Sequence, residues 1–281
     1  MNDGFINLNK KSGMTSHDAV NHVRKIFSTR KVGHAGTLDP AASGVLPVAI
    51  GRATKFIEYL ADCEKTYRAE ILFGIATDSG DLEGAITARA DDFQMPTPEQ
   101  FNATLKNFIG EIEQTPPKFS AIKIHGRKAY DLARKNLDFD MPRRLVKISD
   151  IKFIALDENS ATLEISCGKG TYIRSLAIDI GERLKIPATL KNLIRLRVGD
   201  FDLKTSATLD ELSAENILPI EDCLKHLPKF DLDARRIRAF MNGLPTTLNL
   251  PDEKALRVFA DGKFLGVGRV ERGELKSSKI I

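Results

Sequence analysis

Residues 31–55 read KVGHAGTLDPAASGVLPVAIGRATK, a polar, glycine-rich segment running directly into an apolar one. Gly33, Gly36 and Gly44 let the backbone turn, and Pro40 keeps Asp39 out of helical φ/ψ. The segment therefore predicts His34, Thr37 and Asp39 on a tight irregular loop, followed by a core strand through Val45, Leu46, Val48, Ala49 and Ile50. A carboxylate held this way can be a positioned reactive group. The same residues also suit a plain turn in which Asp39 accepts local N–H bonds.

Upstream, Phe5–Asn9 alternates as a short strand, and Thr15 with Asp18 three residues on predicts a capped helix start. Ala19, Val20, Val23, Ile26 and Phe27 recur at helical spacing. They leave Arg24, Lys25, Arg30 and Lys31 as a basic rim, which a helix C-terminus favours in any protein. Downstream, Tyr67, Ala69, Ile71 and Phe73 share one face of a predicted strand. The acidic run Asp78–Gly84 fails the spacing of a calcium loop and predicts a turn. Thr97-Pro98-Glu99-Gln100 predicts a capped helix burying Phe101, Leu105, Phe108 and Ile109; a strand over 119–124 and a short helix around Tyr130 follow.

Leu163, Ile165 and Cys167 predict another strand, and Gly168-Lys169-Gly170-Thr171 turns into a helix over 173–184. GKGT lacks the upstream glycine of a nucleotide-binding P-loop. Arg174 falls in the first turn of that helix, where the dipole disfavours a cation, and Ala177 and Ile178 offer no acid, so a distant partner is expected. Short helices are predicted over 209–212 and 220–227, with a boundary at Pro228-Lys229. Beyond it come a helix over 234–242 and a hairpin joining 255–260 to 263–269 through Asp261-Gly262.

At 281 residues the chain is long enough for one large and one small domain, here 1–228 and 229–281. Its 42 Lys and Arg against 38 Asp and Glu leave a net charge of +4, which permits a local nucleic-acid-binding patch without requiring one. Cys63, Cys167 and Cys223 form no CxxC pair, and the five histidines, His125 among them, form no HExxH pair. Neither a disulfide framework nor a metal site is expected, and a reducing cytoplasm fits. No stretch predicts secretion or a membrane span.

The string HAGTLDPAASGVLPVAIGRATK resembles the central motif of the TruB family of tRNA pseudouridine synthases. TPPKFSAIKIHGRKAYDLAR, KGTYIRSL and LIRLRVG resemble further segments of the same family, and the resemblance as a whole covers roughly Phe5 to Gly199. Lys10-Lys11 stands where that family usually has lysine-proline. The resemblance implies an α+β fold: a mixed sheet with flanking helices, followed by a short β-rich tail similar to a PUA domain. It implies isomerisation of the tRNA T-loop uridine at position 55, without a cofactor or metal, by a cytoplasmic monomer. Asp39 is implied as the catalytic carboxylate, Tyr67 as the aromatic against the uracil, and Arg174 as the partner of Asp39. His34, Tyr172, Leu193 and Lys10 are implied as substrate-binding residues, with Lys123, Arg127, Lys128 and Arg134 as phosphate contacts. Two alternatives share the motifs: a noncatalytic tRNA-binding or folding module, and an RNA-guided relative. Asp39, Tyr67 and Arg174 together favour an enzyme, and the lack of basic tails favours a stand-alone one.

Overall fold

The computed structural model describes residues 3–281 apart from 125 and 136, so His125 lies outside the described residues. The chain divides into two compact units. One comprises Met1–Asp39, Val45–Ala61 and Gly199–Ile281; the other comprises Pro40–Gly44 and Asp62–Val198. Both are mixtures of strands and helices, an α+β architecture.

In the first unit, strand Gly4–Lys10 lies between Ile217–Leu218 and the strand that runs to Ile50. Val32–His34 pairs antiparallel with the last residues of the latter, Val32 opposite Ile50 and His34 opposite Val48. Val45, Leu46, Val48, Ala49 and Ile50 are all buried, so the predicted core strand is present. Helix Ser16–Ile26 begins as the sequence dictates: Thr15 accepts from the Asp18 N–H while the Asp18 carboxylate accepts from the Thr15 N–H at 3.1 Å. Its buried stripe is Ser16, Ala19, Val20 and Val23. Ile26, expected on that stripe, is instead 43% exposed, at the last residue of the helix.

The same unit carries a five-stranded sheet in the order Lys229–Asp231, Glu253–Ala260, Lys263–Glu271, Glu274–Ile280, Thr246–Thr247. Phe240 from the short helix Ile237–Met241 packs into its core with Leu256, Val258, Val270 and Leu275. Ala260 pairs with Lys263 across the predicted turn, where Asp261 (φ 48°) and Gly262 (φ 73°) both adopt the left-handed region that a two-residue hairpin requires. Phe264 meets Phe56 at a ring distance of 6.0 Å, and Lys279 pairs with Glu58 at 3.1 Å, tying this sheet to the 51–61 segment.

In the second unit, five strands run antiparallel in the order Ala188–Val198, Lys65–Phe73, Ser160–Cys167, Arg144–Leu156, Gly110–Gln114. Ser43 and Gly44 pair in parallel with Ile194 and Arg195 at its edge. Helix Ile173–Leu184 packs against Ala188–Val198, and Gly181 allows that approach: a Cβ there would lie 2.6 Å from the Ala188 Cβ.

Helix Pro98–Leu105 has the predicted capping box and buries Phe101 and Leu105, with Phe101 stacked edge-on against Phe73 and Phe153. The expected face does not extend to Phe108 and Ile109. The chain tightens into a 3₁₀ turn at Lys106–Phe108, rotating Phe108 to a half-buried position and leaving Ile109 42% exposed at the head of a strand. The strand expected over 119–124 is reduced to Lys123–Ile124. Carbonyls that would have joined a sheet are taken elsewhere: Phe119 accepts from Arg174, Ser120 from the Tyr130 N–H and Ile122 from the Ala129 N–H. Similarly, the helix expected over 220–227 is the single turn Ile220–Cys223.

Candidate functional site

Asp39 follows a residue that is fastened from both sides. The Ser16 hydroxyl donates to the Leu38 carbonyl at 3.0 Å and accepts the Leu38 N–H at 2.9 Å, in a buried setting. Because Ser16 is the first residue of a capped helix, the loop inherits that helix's rigidity one residue before the carboxylate. On the other flank, the Ala35 N–H bonds to the Pro47 carbonyl at 2.9 Å, and Gly36 (φ 101°) makes the turn between. His34 ends the short strand beside this turn, and both it and Asp39 are half-buried.

Lys10 is fully buried, and its ammonium donates to the Met14 carbonyl at 2.7 Å and the Lys11 carbonyl at 3.0 Å. These bonds fold the 11–14 turn onto the end of the first strand, immediately before the Thr15 cap. Lys10, Ser16 and Leu38 thus form one chain of support behind Asp39. The resemblance named Lys10, but the role of Ser16 was missed: a serine at a helix start reads as a cap, and its bond spans 22 residues.

Tyr67, Tyr172, Arg174 and Leu193 belong to the second unit. Tyr67 is 9% exposed and lies between Ile165 and Arg195 in the sheet register; Leu193 faces Ala69 one pleat along, so Tyr67 and Leu193 look to the same side. Tyr172 caps the helix that carries Arg174. Its backbone is clamped by Gln114, whose amide donates to the Tyr172 carbonyl at 3.0 Å and accepts its N–H at 2.8 Å. Ser175 adds a bond to the Thr115 carbonyl at 2.7 Å.

Arg174 has the distant contacts expected of a cation in a first helical turn. Its guanidinium lies 3.5 Å from the Asp81 carboxylate and donates to the Ser79 and Phe119 carbonyls at 3.1 and 3.0 Å. Asp81 is held in turn by the Ser79 hydroxyl at 2.5 Å and the Glu83 N–H at 3.1 Å. The acidic run 78–84 is the turn that was expected, and it also delivers a carboxylate to a buried arginine. The absence of a local acid near Arg174 was the one sequence signal for Asp81.

Two further buried cations also escaped the sequence reading. Arg195 is 1% and Lys65 6% exposed. Burial first, and then the nearby Arg195, push the Lys65 ammonium below its ordinary pKa. Burial raises the Cys167 thiol to about 11, so it stays neutral at pH 7. Among the described residues, no group of three or more His, Cys, Asp or Glu is placed to hold a metal ion.

Comparisons with known proteins agree with this architecture. A family model described as TruB family pseudouridylate synthase (N terminal domain) matches residues 24–173. One described as Pseudouridine synthase II TruB, C-terminal, matches residues 228–281. A Bacillus pumilus (strain SAFR-032) protein named tRNA pseudouridine synthase B is 46% identical over 268 residues, 91% of this chain and 86% of its own. A Clostridium kluyveri protein of the same name is 38% identical over 99% of each chain. In a solved Cbf5-Nop10-Gar1 complex, a chain superposes with a TM-score of 0.77 at 26% identity, over 99% of this chain and 84% of that one. With two matched models and this degree of identity along nearly its whole length, the chain belongs to the TruB family of pseudouridylate synthases.

Proposed function

We propose that the protein is a tRNA pseudouridine synthase that isomerises the T-loop uridine at tRNA position 55. One observation carries the reading: the loop bearing Asp39 is pinned at Leu38 by a buried serine, in a chain 38–46% identical to proteins named for this activity. A carboxylate with so little freedom suits a reaction in which one group must meet one sugar carbon.

In this reading the target nucleotide leaves its stack, which costs a few kcal/mol and less in a loop than in a duplex. His34 lies against the vacated position, Tyr67 takes one face of the uracil, and Tyr172 and Leu193 close around it. Stacking on an aromatic is worth ~1–3 kcal/mol per base, enough to offset much of the extrusion. Asp39 then either attacks C1′ as nucleophile or removes a proton to give a glycal; both routes break the C1′–N1 bond, turn the base and rejoin it through C5. Arg174 is Asp39's counter-charge, a role supported by the KGTYIRSL match and by its burial. Lys10 acts from behind, by shaping the turn that precedes the helix cap.

Lys123, Arg127, Lys128 and Arg134 are exposed cations suited to phosphates of the T-stem-loop. Residues 229–281 would form a small RNA-binding domain beside the catalytic 1–228, and the protein would act as a cytoplasmic monomer. The test is release of tritium from tRNA labelled at uridine C5. Stoichiometric release mapping to the T-loop, absent in Asp39→Asn, is expected. Tight tRNA binding with no release by the wild-type protein would instead identify a noncatalytic folding module.

A further inference from the structure

Helix Ile173–Leu184 starts without the usual cap. Serine, threonine, aspartate or asparagine commonly stand just before a helix, because their side chains accept an N–H of the first turn. Here the residue is Tyr172, whose side chain makes no such bond. Its carbonyl opens the helix by accepting the Leu176 N–H at 3.1 Å. Giving this position to an aromatic forgoes a stabilising bond, which points to a use for the ring itself.

Tyr172 is held instead by Gln114, 58 residues earlier and 2% exposed. The Gln114 amide donates to the Tyr172 carbonyl at 3.0 Å and accepts the Tyr172 N–H at 2.8 Å. A peptide carbonyl only accepts and its N–H only donates, so the two bonds fix which end of the amide faces which group. With the planar peptide groups on both sides of Tyr172 held, the direction of its Cα–Cβ bond is set and only the side-chain torsions remain. Gln114 is itself firm: it ends strand Gly110–Gln114 opposite Arg144, and the buried Pro116 and Pro117 stiffen the chain beyond it. The Thr115 and Phe119 carbonyls meet Ser175 and Arg174 on the same helix turn. Those contacts dock the turn as a whole, whereas both Gln114 bonds act on Tyr172.

We infer that Gln114 is a positioning residue for uridine isomerisation: its buried amide holds Tyr172 so that the ring meets the target base in one orientation. The inference rests on the pseudouridine synthase reading above, in which Tyr172 closes around the uracil. There the base is released, turned and rejoined through C5 without leaving the site. A wall that sways lets C5 miss C1′ while the rest of the RNA stays bound, so the loss falls on the rate rather than on affinity. Gln114 touches no substrate and acts through Tyr172.

The experiment measures tritium release from tRNA labelled at uridine C5, in single turnovers at saturating protein, together with tRNA Kd. It uses wild type, Gln114→Met, Tyr172→Ala and the double variant. Gln114→Glu, which keeps the side-chain length and the bond to the Tyr172 N–H, goes through the same cycle, so the test stands even where Gln114→Met folds poorly. Gln114→Met should lower the rate constant about tenfold and Gln114→Glu by less, with Kd within about threefold. In the Tyr172→Ala background Gln114→Met should slow release by less than about twofold, since no ring is left to position. Loss of folded protein lowers the active fraction and leaves the rate constant at saturation unchanged, so it does not mimic this result. The full tenfold deficit persisting in the Tyr172→Ala background would overturn the inference, leaving Gln114 as an anchor of the helix end. An unchanged rate constant would overturn it as well, whether or not Kd weakens. Fluorine spectra of protein labelled with fluorotyrosine follow the ring without turnover, Tyr172→Phe assigning its signal among the four tyrosines. Gln114→Met should shift or broaden that signal, and an unchanged signal counts against the clamp. A wild type that releases no tritium would refute the synthase reading, and the role in isomerisation with it, even where the Tyr172 signal responds to Gln114→Met.

Discussion

The loop behind Asp39 and the surroundings of Arg174 are built in opposite ways. Asp39 is positioned by one short loop held 22 residues back, at Ser16, on a helix whose own start is fixed by a local capping box. Arg174 is positioned by groups 95 and 55 residues away, the Ser79 and Phe119 carbonyls, together with the carboxylate of Asp81. The first arrangement can be damaged at one bond and remain a folded protein. The second joins three segments through one side chain, so damage there reaches stability as well as chemistry.

The largest expected effect of breaking that contrast is at Arg174. Arg174→Met strands Asp81 and two carbonyls in a buried setting, so urea unfolding should show a loss of about 3 kcal/mol along with at least a 100-fold fall in turnover. Asp81→Asn is the milder probe of the same cluster. It keeps the shape but removes the charge, and a double-mutant cycle with Arg174→Met should show coupling above about 0.5 kcal/mol.

Ser16→Ala tests the local arrangement. The buried Leu38 N–H and carbonyl lose their partner at a cost of about 1–2 kcal/mol. Turnover of tRNA should drop by about tenfold with Kd little changed, because the loop still forms but no longer holds Asp39 in one place. A loss as large in stability as that of Arg174→Met would erase the distinction between the two arrangements.

Asp179, on the helix that carries Arg174, sharpens it through pH. Burial, reinforced by Glu182 and opposed by Arg143, raises its carboxyl to about 6. Its folded pKa lies above the unfolded value of about 3.9, so the stability it contributes is complete below about pH 4 and is lost as pH rises through about 6. Asp179→Asn should therefore melt higher than wild type at pH 7.5, with the gain vanishing near pH 4; a constant difference across that range would show that the carboxyl does not titrate as described. The smallest effect is expected at the hairpin turn. Gly262→Ala forces a Cβ into φ 73° and should cost about 1 kcal/mol, read as a melting shift of a few degrees with unchanged tRNA turnover.

Much of the fold was legible because its signals are local. The Thr15 and Thr97 capping boxes, the alternation from Tyr67 to Phe73 and the Asp261-Gly262 turn each depend on residues a few positions apart, and each is present. The strand expected over 119–124 and the helix face extended to Ile109 were not realised, because hydrogen bonds to distant groups and a tightened turn overrode local pattern. For the site, the motifs point to Asp39, Tyr67 and Arg174, while Ser16, Asp81, Lys65 and Arg195 carry no local mark of their surroundings.

By itself, the sequence determined the family, the capped helices, the core strand after Asp39 and the need of Arg174 for a distant partner. Tertiary structure alone decided that Asp81 is one such partner, that Ser16 clamps Leu38, and that two cations are buried on the face of Tyr67. The physical reason is range. Caps, turns and alternation are written within one turn or one pleat, whereas a buried charge takes its meaning from groups that only folding brings within a few ångströms.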